Sequence, residues 1–241
     1  MMRSVSALLR SVYIATGAIA FAALLAGPAG AFDAAQPEWP DTTESRLAAL
    51  ALVETLNAAL LSTPSATLTL DRWCADHSLA PQGSKIVAER VKGADKPADL
   101  DIRTQLGASV DERIVYRRVR LVCGTRVLSE ADNWYRPALL TDAMNAALET
   151  TDTSFGRVVK PLGFTRTTLS ADLIWRPLPD NWEMNAPLAA PAQGALAMPR
   201  FLLAHRAILK RADGQPFSLV AENYTSEILA FPAPLGERTA Q

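Results

Sequence analysis

Between residues 42 and 61 the apolar positions Leu47, Leu50, Ala51, Val53, Leu56, Leu60 and Leu61 recur at helical intervals. That spacing lines them along one side of a helix. Asp41-Thr-Thr-Glu44 reads as a capping box at its start, and Thr63-Pro64-Ser65 ends it. A second, shorter helix is expected around Leu70, Trp73 and Cys74. The period then changes from helical to alternating. SKIVAERV (84–91) and ERIVYRRVRLVC (112–123) read as strands, the second rich in β-branched residues. Gly124-Thr125 makes a two-residue turn, and RVLSEADNWYR returns as the partner strand. Pro137 suits the first turn of a helix that LLTDAMNAALE fills. FGRVVKPLGF is ambiguous, and TRTTLSADLIW is strand-like. Residues 176–199 hold five prolines and no period, so they read as a long loop. Two last strands flank the turn Ala212-Asp-Gly-Gln215, from about Phe201 to Leu229.

Helices first, then antiparallel hairpins with one helix between them, is the order of an α+β domain. Its antiparallel β-sheet carries helices on one face. The turns set the register. A symmetric turn at 212–215 pairs Leu209 with Ser218, Ala207 with Val220 and His205 with Glu222. The same reasoning about Gly124-Thr125 pairs Arg117 with Asp132 and Arg118 with Ala131. Alternation then gathers Ile114, Tyr116, Arg118, Arg120 and Val122 on one face of their strand. Ser218, Val220, Glu222 and Tyr224 share one face of theirs. Such mixed faces occur at solvent boundaries, and they also line pockets for small aromatic anions.

Composition places the domain rather than its chemistry. Arg3 and Arg10 precede an apolar run, and Ala29-Gly30-Ala31 offers a small-x-small cleavage site. Residues 1–31 therefore read as a secretory signal peptide, the alternative being a retained membrane anchor. Residues 32–41 read as a linker, 42–230 as a single domain and 231–241 as a C-terminal tail. The expected location is periplasmic or secreted, with no stable membrane association once the signal is cut. The whole chain has a formal net charge of −1, which gives no reason to expect nucleic-acid binding. Two cysteines, Cys74 and Cys123, form either a disulfide, as an even count in an exported chain suggests, or two buried thiols.

Stronger motifs are absent. The chain has no GxSxG, no phosphate-binding loop and no dinucleotide glycine pattern. Cys74-Ala-Asp-His77 has a metal-like spacing without a second pair, so neither a metal nor a cofactor is expected.

Three segments, in order, resemble the chorismate pyruvate-lyase family. RRVRLVCGTRVLSEADNWYRP (Arg117–Pro137) is similar to a family strand with an arginine five residues before a frequent cysteine, then a hairpin and a strand ending in proline. TSFGR (Thr153–Arg157) resembles the TPLGR-type segment, and DGQPFSLVAENY resembles the last turn and strand. The match spans roughly residues 65–230. It implies an antiparallel sheet with helices on one side and a ligand beneath mobile flaps. It also implies cleavage of chorismate to 4-hydroxybenzoate and pyruvate without metal or cofactor. The same fold serves as a UTRA-type sensing domain in transcription regulators, whose helix-turn-helix has no counterpart here. By resemblance, Arg118 is the carboxylate-binding arginine and Glu222 the active-site glutamate, the two catalytic candidates. Phe155 stands where a leucine touches the ligand, Ile86 and Val87 are walls, and Arg206 or Arg120 is a second anion anchor.

Two functions follow as expectations: an exported chorismate lyase-like enzyme, or a non-catalytic periplasmic binding protein for a small aromatic carboxylic acid. A monomer is expected in either case. Both require Arg118 and Glu222 to converge on one enclosed cavity.

Overall fold

The computed structural model describes residues 38–234; the signal peptide expected at 1–31 lies outside them. Two helices open the domain, α1 (Thr43–Leu61) and α2 (Ala66–Asp76). Thr42 caps α1 by accepting from the Ser45 N–H, one residue later than the box predicted from Asp41. Ser65 caps α2. Six strands follow: β1 (Val87–Arg90), β2 (Val115–Cys123), β3 (Arg126–Tyr135), β4 (Thr165–Leu173), β5 (Phe201–Lys210) and β6 (Pro216–Thr225). They form one antiparallel sheet in the order β1-β2-β3-β6-β5-β4. The α+β class with an antiparallel sheet, read from the order of patterns, is the observed architecture.

Three further helices decorate it. α3 (Leu100–Leu106) starts at an Asp99 cap and stops at Gly107, whose φ of 61° suits glycine. α4 (Asp142–Thr150) begins after a 3-10 turn at Pro137–Leu139, so Pro137 opens the turn and Thr141 caps the helix. The ambiguous segment contains the single-turn α5 (Phe155–Val158).

The sheet has two unlike faces. Its inner face presents Val119, Leu121, Ala131, Leu203 and Tyr224 to α1 and α2, which contribute Val53, Leu56, Leu60, Leu70 and Trp73 to the main core. The outer face carries Arg118, Arg120, Glu130, Asp132 and Arg206, and is apolar only at one end. There Ile102 and Leu106 of α3 pack on Trp134, Ile208 and Leu219. The Cys74–Cys123 disulfide ties α2 to the end of β2, with Cα atoms 6.4 Å apart.

The domain is wider than its expected bounds. Trp39 is buried and donates its indole N–H to the Phe231 carbonyl. Pro40 bridges Ala195, and Arg46 of α1 donates to the Ala189 carbonyl. The last residues of the expected linker and the first of the expected tail are therefore part of the fold. They also hold part of the proline-rich 176–199 segment against the start of α1.

Candidate functional site

The register predicted for the last hairpin is the observed one: Leu209 pairs with Ser218, Ala207 with Val220 and His205 with Glu222. The register predicted for the first hairpin holds only beside its turn. Cys123 pairs with Arg126 and Val122 with Val127, but Leu121 then pairs with Ser129. Leu128 is an extra residue, a β-bulge, and its side chain is fully buried in the core. Beyond it Arg118 faces Asp132, not Ala131, and Arg117 faces Asn133. Because side chains alternate, a slip of one residue exchanges the faces.

This exchange corrects the site. Ala131 pairs with Glu222 across β3 and β6, and with Val119 across β2 and β3. Arg117, Val119 and Leu121 therefore share the inner face with Glu222, while Arg118 points to the outer face. Arg118 is 39% exposed and binds Glu130 at 3.1 Å. The other proposed anchors lie outside as well: Arg206 pairs with Asp101 at 3.3 Å, and Arg120 sits 3.8 Å from Glu130. Of the proposed walls, Ile86 is buried in the main core and Val87 is 43% exposed; neither borders the cavity described next. Phe155 and Glu222 do border it.

That cavity lies between the inner face of the sheet, the first turn of α2 and α5. Arg117, Val119, Ala131, Asn133, Val220 and Glu222 supply the sheet wall; Ser65, Thr67, Phe155 and Gly156 supply the roof. Its volume is about 50 Å³. A cavity of about 150 Å³ takes benzene, so this one admits a benzene ring only if Phe155 or α5 moves. The roof is tightly made. A Cβ on Gly156 would lie 2.8 Å from the Ser65 hydroxyl, so glycine lets α5 settle on the start of α2. Arg157 latches the same turn by reaching Asp71 of α2 and the Ile86 carbonyl.

The polar groups of the cavity are unevenly matched. Glu222 accepts from Arg166 of β4 at 2.6 Å and from the buried Tyr224 hydroxyl at 3.2 Å. Burial works against the charge of Arg166, yet the Glu222 carboxylate outweighs it and holds the guanidinium above its ordinary range. Burial drives the Tyr224 hydroxyl well above the usual tyrosine value. His205, opposite Glu222, reaches Asn57 of α1 at 2.9 Å; burial lowers its pKa against the pull of Glu222.

Arg117 has no such partner. It is 3% exposed, and among the described residues its one hydrogen bond goes to the Thr153 carbonyl at 3.3 Å. Among the described residues no carboxylate lies within ion-pair distance of it. Burial, aided by the like charge of Arg90, lowers its pKa to about 10. Its Nε is buried without an acceptor, as are Asn133 Nδ2 and Arg166 Nε. The Ser218 hydroxyl donates to Asn133 Oδ1 at 2.6 Å, which leaves the amide N–H groups for the cavity.

The fold and the cavity define an α+β domain with a small cavity between sheet and helices, bordered by Arg117, Arg166 and Glu222. The chain belongs to the family of the uncharacterized protein y4mC of Sinorhizobium fredii. The two are 60% identical over 200 residues, 83% of this chain and 84% of that protein. No protein-family model matches the chain. Among solved structures it is similar to PhnF from Mycobacterium smegmatis, with 15% identity, a TM-score of 0.46 and coverage of 86% of this chain and 96% of that one. It is also similar to the effector domain of PhnF from the same organism, with 14% identity, a TM-score of 0.43 and coverage of 68% and 90%.

Proposed function

We propose that this chain is a binding domain for a small organic acid, held with its anionic group against Arg117. The observation that carries the reading is the buried guanidinium on the cavity wall with no carboxylate within ion-pair distance among the described residues. Burying a cation alone costs several kcal/mol, and an anion that enters the chamber offsets that penalty. Arginine grips a carboxylate through paired N–H donors, and here Asn133 Nδ2 adds a third from the neighbouring strand. Van der Waals contact comes from Phe155, Val119 and Val220. The Cys74–Cys123 disulfide supports an oxidising compartment, in keeping with the leader read from the first 31 residues.

A catalytic reading has one observation in its favour: Glu222 borders the cavity, as the resemblance to chorismate pyruvate-lyases implies. Elimination of pyruvate needs a proton or hydrogen-bond donor at the departing oxygen. Glu222 already accepts from both Arg166 and Tyr224, the arrangement of a carboxylate held as an acceptor. The geometry therefore favours capture over turnover.

The test is a melting series on residues 32–241 with acetate, lactate, benzoate and 4-hydroxybenzoate. At a hundredfold excess over Kd a ligand stabilises the native state by about 2.7 kcal/mol. For a domain of this size that raises Tm by about 5–10 °C. Melting curves unmoved by every acid would remove the reading. Pyruvate released from chorismate above background would replace capture with the lyase.

A further inference from the structure

Among the described residues, three charges border the cavity: Arg117, Arg166 and Glu222. Arg166 and Glu222 neutralise one another at 2.6 Å, which leaves one positive charge without a counterpart. The nearest charges beyond the wall come with opposite signs. Arg90 and Asp152 act on Arg117 in opposing directions, and Arg157 of the roof is matched by Asp71. Arg117 is buried in the wall and α5 is latched over the cavity, so water and salt screen an excess charge there less than at a surface.

We infer that the ligand of this chamber carries a single negative charge, and that acids with two are rejected. This rests on the binding function proposed above. A monoanion brings the chamber to neutrality. A dianion of the same skeleton would bury one carboxylate with no cation to meet it, because Arg166 is already committed to Glu222. Specificity here comes from the charge count as much as from shape. Asn133 sharpens it. It is the cross-strand partner of Arg117, and its amide offers donors without adding charge.

The experiment compares monoanions with dianions of matched skeleton on the wild-type protein by calorimetry and melting at neutral pH. The pairs are propionate with succinate, lactate with malate, and benzoate with terephthalate. The expected result is that at least one monoanion binds and its dianionic counterpart binds at least about tenfold more weakly. A second arm uses Asn133→Asp, which keeps the side-chain shape and the Ser218 hydrogen bond while supplying a carboxylate beside Arg117. That variant should melt higher than ligand-free wild type and lose its response to the monoanion. A dianion that binds as well as its monoanion, or an Asn133→Asp protein that still responds, overturns the charge rule and leaves the binding function standing. Silence of wild type toward every acid overturns both.

Discussion

Arg117→Met should stabilise the ligand-free protein, which is the opposite of what removing a well-placed core residue does. The pKa of Arg117 falls from the ordinary 12.5 to about 10. At 1.36 kcal/mol per pKa unit, its surroundings disfavour the charged form by about 3 kcal/mol. Methionine keeps most of the buried stem and removes the charge. The hydrogen bond to the Thr153 carbonyl is lost with it, and a bond from a charged donor is worth about 1.5–3 kcal/mol. At 3.3 Å this one belongs at the weak end of that range, so a net gain of about 1 kcal/mol remains. Such a gain raises Tm by about 2–4 °C in a domain of this size. Protein refolded from denaturant and dialysed removes any acid carried through purification, and differential scanning calorimetry reads the transition. The same variant should lose the ligand-induced shift of the wild type. A residue that lowers stability while enabling binding is what a functional site predicts. If the ligand-free variant instead melts several degrees below wild type, Arg117 is a satisfied structural residue and the anion-binding argument fails.

Three more outcomes follow from the same structure. Arg166→Met alone should destabilise the fold by about 3–5 kcal/mol by stranding the Glu222 carboxylate, whereas Arg166→Met with Glu222→Leu should come within about 1–2 kcal/mol of wild type; urea melts of both distinguish them. Equal losses in the two would mean that packing, not charge, holds this corner. Reducing Cys74–Cys123, which spans 49 residues, should remove about 4 kcal/mol and lower Tm by about 8–16 °C, as checked by melting with and without reductant and in the double alanine variant. His205 has a native pKa below its unfolded value of about 6.5, so the unfolded chain takes up the proton first as pH falls. Its contribution is therefore full above that unfolded value and is lost as pH drops towards the lowered native one, by at most about 1.4 kcal/mol per pH unit. His205→Gln should flatten that part of the stability-against-pH curve, and an unchanged slope would exclude His205 as its source.

Much of the fold was legible because each strand lies between signals that act locally. The turn at Asp213-Gly214 and the alternation on either side of it fixed the β5–β6 hairpin and its register, including the placement of His205 against Glu222. What escaped was α3, although Asp99 and Gly107 bracket it as cap and stop. Seven residues carry little helical periodicity, and α3 owes its place to packing on Trp134, Ile208 and Leu219. Arg166 escaped for a different reason. Its meeting with Glu222 spans three strands, so it requires the register of two strand pairs at once, one of them joined only through the long 176–199 segment.

The exchange of Arg117 for Arg118 is the instructive case. Counting back five residues from Cys123 selects Arg118, and nothing in the spacing is wrong. The error enters at Leu128, one apolar residue among several in β3, whose burial as a bulge shifts the pairing from that point on. A hydrophobic residue in a strand carries no local mark of being the extra one. Only the demand that Ala131 and Asn133 also pair with Glu222 and Val220 of β6, on the covered face, decides which arginine looks inward. The choice is thus made by the sheet as a whole, and it has a chemical result. The arginine turned outward finds Glu130 and Asp132 waiting on its own face, while the one turned inward has no carboxylate within ion-pair distance among the described residues. Of two adjacent arginines, the bulge pairs one with acids on the outer face and leaves the other buried with no ion-pair partner among the described residues.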